Sequence, residues 1–215
     1  MVVKSSSSKW ERYIIDPMFG TKILEEKKSK YNGNLRVIKS FGLGTYIQSD
    51  GLTQSGGIVD TFWKQTLKKI RKTNPNIKNT LILGLGGGTV AKHIRKLWRD
   101  AKITGVDIDP LIVEMGKKYL GLEADEIYIE DADGFDTRGY DLVIVDLYRG
   151  DRFPDKFQKE VFLKSLSKNR LVVFNRLYYK DKKVEAQKFG EKLKKVFKNV
   201  EYFYPITNLM FICSN

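Results

Sequence analysis

The chain has one cysteine, Cys213, and one histidine, His93, in 215 residues. A single thiol cannot form an internal disulfide, so a reducing, cytoplasmic setting is the simplest expectation. Cys213 sits in an apolar strand pattern and reads as a buried structural thiol, and His93 lies in a Lys/Arg-rich helix where surface or packing roles are expected. No cluster of metal-ligating residue types is present, so no metal is expected. No apolar run reaches the roughly 18 residues of a membrane helix, and Met1 to Lys9 has no apolar signal-peptide core, so no membrane is expected as a partner. Acidic residues are also few: 26 Asp and Glu stand against 39 Lys and Arg, a net charge of +13. Residues 1–79 hold 15 basic against 6 acidic side chains and the remainder 24 against 20. Such a field attracts anions and leaves nucleic acid open as a partner.

The hydrophobic fraction of 41% and charged fraction of 30% fit an ordinary globular chain. Residues 1–9, with Ser5–Ser8, read as a disordered tail. Residues 10–56 form an expected N-terminal β-hairpin module, with Asn32-Gly33 and Phe41-Gly42-Leu43-Gly44 as punctuation between β-prone runs. Residues 57–215 form the expected main domain. A helix over 57–72 places Ile58, Phe62, Leu67 and Ile70 near one face, and Asn74-Pro75-Asn76 ends it. From residue 80, apolar runs at 80–83, 102–106, 127–129, 141–145 and 170–174 alternate with helical stretches at 88–98, 110–119, 154–167 and 181–197. Alternation of this kind predicts a parallel sheet with helices on both faces. Runs at 199–204 and 208–213 are separated too closely for a crossover helix and should pair antiparallel. The fold class is therefore α/β, a seven-stranded doubly wound Rossmann-like sheet of the methyltransferase type.

Four strand ends carry chemistry. Leu81-Ile82-Leu83 runs into Gly84-Leu85-Gly86-Gly87-Gly88, where glycine lets a ligand approach the backbone and the next helix offers its N-terminus. Thr89 stands where a dinucleotide fingerprint needs Gly or Ala, so a nucleoside without a pyrophosphate is favoured. Asp107 ends the second strand, where a carboxylate can accept both ribose hydroxyls. Asp109 before Pro110 reads as a helix N-cap. Asp131-Ala132 follows the third strand and can meet an adenine edge, while Asp133 has the alternative role of a cap. Asp146 ends the fourth strand, where an acid can take a proton from an attacking amine.

Together these residues resemble the spermidine synthase (polyamine aminopropyltransferase) family over about residues 30–175. Asp50-Gly51-Leu52-Thr53-Gln54 is similar to the family's D-G-x-x-Q, Gly84–Thr89 to its G-G-G-D-G-G, and Val106-Asp107-Ile108-Asp109 to its V-E-I-D. Asp131-Ala132 stands at its adenine-binding D-G, and Asp146 at the first, catalytic Asp of D-S-x-D-P. The resemblance implies S-adenosylmethionine or its decarboxylated form as co-substrate, held by Gln54, Gly84, Gly86, Gly88, Asp107, Asp131 and Ala132. It implies Asp146 as the base and Trp63, Tyr148 and Arg149 around a small amine, and it implies a homo-oligomer built through the N-terminal module.

Three departures bear on that reading. Gly87 replaces an Asp facing the tail of the cofactor, Arg149 replaces the second Asp of D-S-x-D-P, and Trp63 replaces a substrate Tyr. Asp60 stands where the family usually has Glu. The losses weaken attraction for a diammonium substrate, and Arg149 can instead pair with a carboxylate such as the methionine tail of S-adenosylmethionine. A methyltransferase on the same scaffold, acting on RNA, is the second expectation, and a catalytically inactive nucleoside-binding or assembly protein is the third.

Overall fold

The computed structural model describes residues 20–215. The expected tail over 1–9 and the first part of the N-terminal module, 10–19, lie outside the described residues. An antiparallel sheet comes first, ordered β1 (Lys22–Ser29), β2 (Gly33–Ser40), β3 (Gly44–Ser49) and β4 (Leu52–Gly56). The two glycine-bearing turns foreseen from the sequence join β1 to β2 and β2 to β3. Helix α1 (Gly57–Thr73) follows directly, and the amide of Asn74 closes it by donating to Ile70 O at 2.8 Å.

The second sheet contains β5 (Asn79–Leu83), β6 (Lys102–Asp107), β7 (Glu126–Ile129), β8 (Leu142–Val145), β9 (Val172–Leu177), β10 (Asn199–Phe203) and β11 (Asn208–Ser214). Their spatial order is β10-β11-β9-β8-β5-β6-β7. The strands from β9 to β7 are parallel neighbours, and β11 runs antiparallel to both β9 and β10. The connecting helices are α2 (Thr89–Leu97), α3 (Pro110–Tyr119), α4 (Glu160–Leu166) and α5 (Lys182–Lys194).

Side-chain alternation along the strands explains the double winding. Ile82, Ile103, Ile144 and Val173 face one core with Phe62, Trp63 and Leu67 of α1, Ile94 of α2 and Ile112 of α3. Leu81, Leu83, Val143, Val145 and Phe174 face the other, with Leu163 of α4 and Phe189 of α5. The central strands β5, β6, β8 and β9 are buried on both sides, which is why they read as continuous apolar runs. Cys213 is buried in the second core, which drives its thiol well above its ordinary range.

Two sequence expectations need correction. Ile58 is not on the buried face of α1, which consists of Val59, Phe62, Trp63, Thr66, Leu67 and Ile70; Ile58 is exposed at the edge of the crevice described below. The stretch 154–167 is a 3₁₀ turn at Asp155–Gln158 and then α4, with Lys159 extended between them at ψ 144°. Five residues separate Phe157 from Phe162, a spacing that does not stay on one helical face. The break lets both rings pack into the core, with centroids 5.0 Å apart.

Candidate active site

Strand order reverses between β5 and β8, and ligands of open α/β sheets bind beyond the strand ends at such a point. A crevice of about 270 Å³ opens there, roofed by Gln54 and Ser55 of β4. Its rim and floor carry Gly84, Gly86, Asp107, Asp131, Ala132, Asp146, Tyr148 and Arg149, with Trp63 in the wall. The structure thus brings to one place nearly every residue that the sequence singled out.

The loop after β5 is organised by its own backbone. Gly84 N and Leu85 N both donate to Val106 O, at 2.9 and 3.0 Å. Gly86 N donates to Asp107 Oδ2 at 2.7 Å, and Gly87 N to Ser55 Oγ at 2.7 Å. These amides are spent inside the protein, so the loop does not offer the free N–H cradle that a pyrophosphate uses. Ser55, which sequence reasoning missed, fastens the N-terminal sheet over the loop, and Gly56 N donating to Thr89 Oγ1 at 2.8 Å adds a second fastening.

Gly87 and Gly88 stand away from the crevice lining. The space a Cβ would take at Gly87 is filled by Ile47, Leu120 and Ser55, and at Gly88 by Leu122. Gly88 is the left-handed N-cap residue of α2, at φ 87°. Its placement is thus structural, and the missing Cβ of Gly87 points at packed side chains.

Asp107 Oδ1 accepts from Asp109 N at 2.9 Å while its other oxygen takes Gly86 N. Burial raises its carboxyl to about 6 against the pull of these two amides. Asp109 caps α3 as foreseen, accepting from Leu111 N at 3.0 Å with Pro110 in the first turn. It also accepts from Ser29 Oγ and from Asn32 Nδ2, which tie the first hairpin to the main sheet.

Asp146 is held from two sides. Trp63 Nε1 donates to Oδ2 at 3.0 Å and Asn175 Nδ2 to Oδ1 at 2.8 Å. Asn208 Nδ2 in turn donates to Asn175 Oδ1 at 2.8 Å. Burial raises Asp146 to about 6, and the two donors oppose that rise. A carboxylate with an acidity near neutral, fixed in orientation, is suited to accept a proton. Trp63 is completely buried, so it fixes the acid rather than standing freely in a pocket as a substrate tyrosine would. Asn175 and Asn208 were not foreseen; their only sequence signal is a polar residue within β9 and another at the start of β11.

Asp131 forms an ion pair with Lys156, whose ammonium lies 4.8 Å from the Phe157 ring centre. Burial alone would raise the Asp131 carboxyl; Lys156, the Asp133 amide and Arg149 carry it below the usual range. Asp133 does not cap a helix; its amide closes a local turn by donating to Asp131 Oδ1 at 3.0 Å. Tyr148 is tied down by its hydroxyl, which donates to Asn175 O at 3.2 Å and accepts from Leu177 N at 2.9 Å. Arg149 is exposed on the rim, its backbone paired with Arg152. Gln54 Nε2 stands 3.5 Å from Gly150 O and links β4 to the loop after β8. His93 is buried, with Nε2 3.0 Å from Asp60 Oδ1, and burial depresses its basicity. Among the described residues no cluster of three metal-ligating side chains occurs, and no helix is long and apolar enough to cross a membrane.

Comparison with known proteins agrees with this geometry. A polyamine aminopropyltransferase of Clostridium botulinum is 31% identical over 134 residues, which cover 57% of this chain and 47% of the relative. The chain thus spans about half the length of that relative. Another, from Alkaliphilus oremlandii, is 28% identical over 218 residues, covering 91% of the chain and 73% of the relative. The fold matches the crystal structure of spermidine synthase from Thermotoga maritima, with a TM-score of 0.69 at 19% identity over 88% of this chain and 71% of that one. It also matches human methyltransferase-like protein 13, with a TM-score of 0.54 at 19% identity over 73% of this chain and 81% of that one. The spermine/spermidine synthase domain matches residues 68–209, about two thirds of the sequence, and the chain belongs to that family.

Proposed function

We propose that the protein transfers an aminopropyl group from decarboxylated S-adenosylmethionine to a small amine. Asp107 accepts from the ribose hydroxyls, and Ile108 and Ala132 flank the base with Leu147 and Pro154 opposite, all of them on the crevice lining. The amine nitrogen attacks the propyl carbon next to the sulfonium, the carbon–sulfur bond breaks, and methylthioadenosine leaves with the electron pair on sulfur. Asp146 takes the proton released by the amine. The sulfonium is already a good leaving group, so orientation supplies much of the rate. The observation that carries the reading is the doubly hydrogen-bonded Asp146 facing the crevice beside Asp107. The test is an assay with decarboxylated S-adenosylmethionine and a panel of diamines, following methylthioadenosine. Its absence with every amine, at enzyme concentrations where the nucleoside binds, would overturn the reading.

Affinity checks the nucleoside half separately. Asp107→Ala is expected to weaken binding of methylthioadenosine by about 1.5–3 kcal/mol, the range for hydrogen bonds to a charged group. Unchanged affinity by calorimetry would remove Asp107 from the site.

One observation favours a carboxylate-bearing cofactor instead. Arg149 and Lys156 both line the crevice, and Arg149 stands where the family has an acid. At about 4 Å and an effective dielectric near 20 a unit pair is worth about 4 kcal/mol before desolvation, and a quarter of that is a several-fold preference. The expected result is that S-adenosylmethionine gains on its decarboxylated form in wild type and loses that gain in Arg149→Asp. An unchanged ratio would make Arg149 a bystander and leave the decarboxylated donor preferred.

A further inference from the structure

The surplus charge of the chain is concentrated on two neighbouring helices. Helices α1 and α2 carry eight Lys and Arg against one acid, Asp60, and Arg99 just after α2 makes nine cations; with Asp100 beside it counted, these two segments hold seven of the net +13 charges. The two helices pack side by side and run in the same direction: Asp60 meets His93 near their starts, and Arg71 Nε donates to Leu97 O at 3.0 Å near their ends. Arg71 also donates to Pro75 O at 2.6 Å and lies over the Trp98 ring. The pair is therefore a rigid platform rather than two independent helices.

Three of the nine cations are already used. Arg71 is spent on carbonyls, Lys69 pairs with Glu201 at 2.6 Å, and Arg95 pairs with Asp125 at 2.7 Å. The other six are Lys64, Lys68 and Lys72 on α1, and Lys92, Lys96 and Arg99 on and just after α2. All are exposed, and none forms an ion pair among the described residues. On each helix they recur at three- or four-residue steps, which keeps them on one side about 6 Å apart along the axis. The one acid in the seam, Asp60, lies against His93, which also feels the charges of Lys92 and Lys96. Thus two rows of unneutralised cations flank a seam whose single negative charge is already engaged.

The lysine-rich helix α5 shows the contrast. There Glu185 and Glu191 are interleaved, and Lys182 and Lys194 pair with them at 3.6 and 2.8 Å. That is an ordinary solvated surface. On α1 and α2 only Lys69 and Arg95 meet acids, both from other elements, and a nucleic acid whose phosphates meet the other six cations releases its own condensed counterions. The exposed uncharged residues of α1 are Thr61, Gln65 and Thr73, all polar, and Ile58, which lies at the crevice edge. One half-exposed isoleucine is little to insert into a lipid layer.

We propose that the α1–α2 face is a docking surface for a nucleic acid, gripping the phosphodiester backbone without reading its sequence. It lies outside the crevice and does not depend on the reaction assigned there. Backbone recognition leaves RNA and DNA alike in charge, so both are offered to the full chain as labelled 20-base-pair duplexes and followed by fluorescence anisotropy. Wild type should bind, with log affinity falling against log salt at a slope near −5, roughly 0.9 for each of six contacts. Lys64→Glu/Lys68→Glu/Lys96→Glu should lose at least 30-fold in affinity at 100 mM salt (roughly one tenfold step per two phosphate contacts) and flatten the slope by roughly 3. Lys188→Glu/Lys192→Glu/Lys195→Glu, on and just after α5, changes the net charge equally and should lose about threefold or less. The Lys64→Ala/Lys68→Ala/Lys96→Ala variant, which keeps the helices intact, should fall between. Equal losses in the two charge-reversed variants would reduce the effect to net charge and overturn the proposal. So would binding to phosphatidylserine vesicles with none to either duplex. Stronger binding of one duplex supports the surface and identifies which backbone geometry fits it.

Discussion

Asp146→Asn is expected to lower kcat by about 10²- to 10⁴-fold, the contribution typical of a positioned acid or base, while methylthioadenosine affinity stays within a few-fold of wild type. Among the described residues the carboxylate is the one acidic group in the crevice held by two side-chain donors, Trp63 and Asn175, and it forms no ion pair. A loss of less than fivefold in single-turnover rate would show that another group takes the proton. The pH profile supplies an independent reading. With Asp146 raised to about 6, the rate should climb as pH rises through that value, because the ionised form is the acceptor. Asn175→Ala removes a donor that holds the acid down, so the acidic limb should move to higher pH with little change in KM. A limb that stays in place would detach it from Asp146.

The same shift has a consequence for stability, of opposite sign to that of a salt-bridged acid. A carboxyl at about 6 in the folded chain and near 3.8 when unfolded holds its proton more tightly in the folded state. Its contribution to stability is complete below about pH 4 and is lost as pH rises through 6. A shift of that size corresponds to at most about 3 kcal/mol against folding at neutral pH. Asp107, raised likewise, acts in the same direction. Asp146→Asn sets an amide donor against Trp63 Nε1 or Asn175 Nδ2, which lowers Tm, but the shortfall against wild type should be smaller at pH 7.5 than near pH 4.

The seven-stranded sheet was legible because its central strands are buried on both faces. Runs such as Leu81-Ile82-Leu83 and Leu142-Val143-Ile144-Val145 carry no polar residue that could blur a boundary. Glycine clusters and acids at strand ends were legible for a related reason: a parallel sheet exposes its carboxyl edge at one place, so residues there converge whatever their separation in sequence. What the sequence hid was partnership. Nothing in the order of residues says that Trp63 and Asn175, 112 positions apart in the chain, close on the two oxygens of Asp146. Nor does it say that Asp131 is answered by Lys156, or that Gly87 turns its bare side toward Ile47 and Leu120 and away from the crevice. Each depends on a long-range side-chain contact, and periodicity carries no record of those. Arg149 was legible in position but not in freedom, since its exposure is set by the turn that pairs its backbone with Arg152.

Gly84→Ala is expected to be the most damaging small substitution in the site. Gly84 has φ 87°, and a Cβ there would lie 2.2 Å from Asp146 O and 2.7 Å from Asp146 C. Both are backbone atoms of the segment that presents the acid, so no side chain can swing aside to make room. The left-handed conformation costs an L-residue about 1–2 kcal/mol, and forced repacking about 1–3 kcal/mol more. A loss of about 2–5 kcal/mol lowers Tm by roughly 5–20 °C for a chain of this size. Gly139→Ala separates the two causes. Gly139 has nearly the same φ, 85°, but nothing lies within 4 Å of its missing Cβ, so it should lose only the conformational part, about 1–2 kcal/mol. The surviving folded fraction of Gly84→Ala should also show a lower kcat, because the end of β8 must move and take Asp146 with it, whereas Gly139→Ala should keep kcat. Equal falls in Tm for the two variants, or an undiminished kcat in Gly84→Ala, would mean that the contact between the glycine turn and the Asp146 backbone does not fix the geometry of the acid.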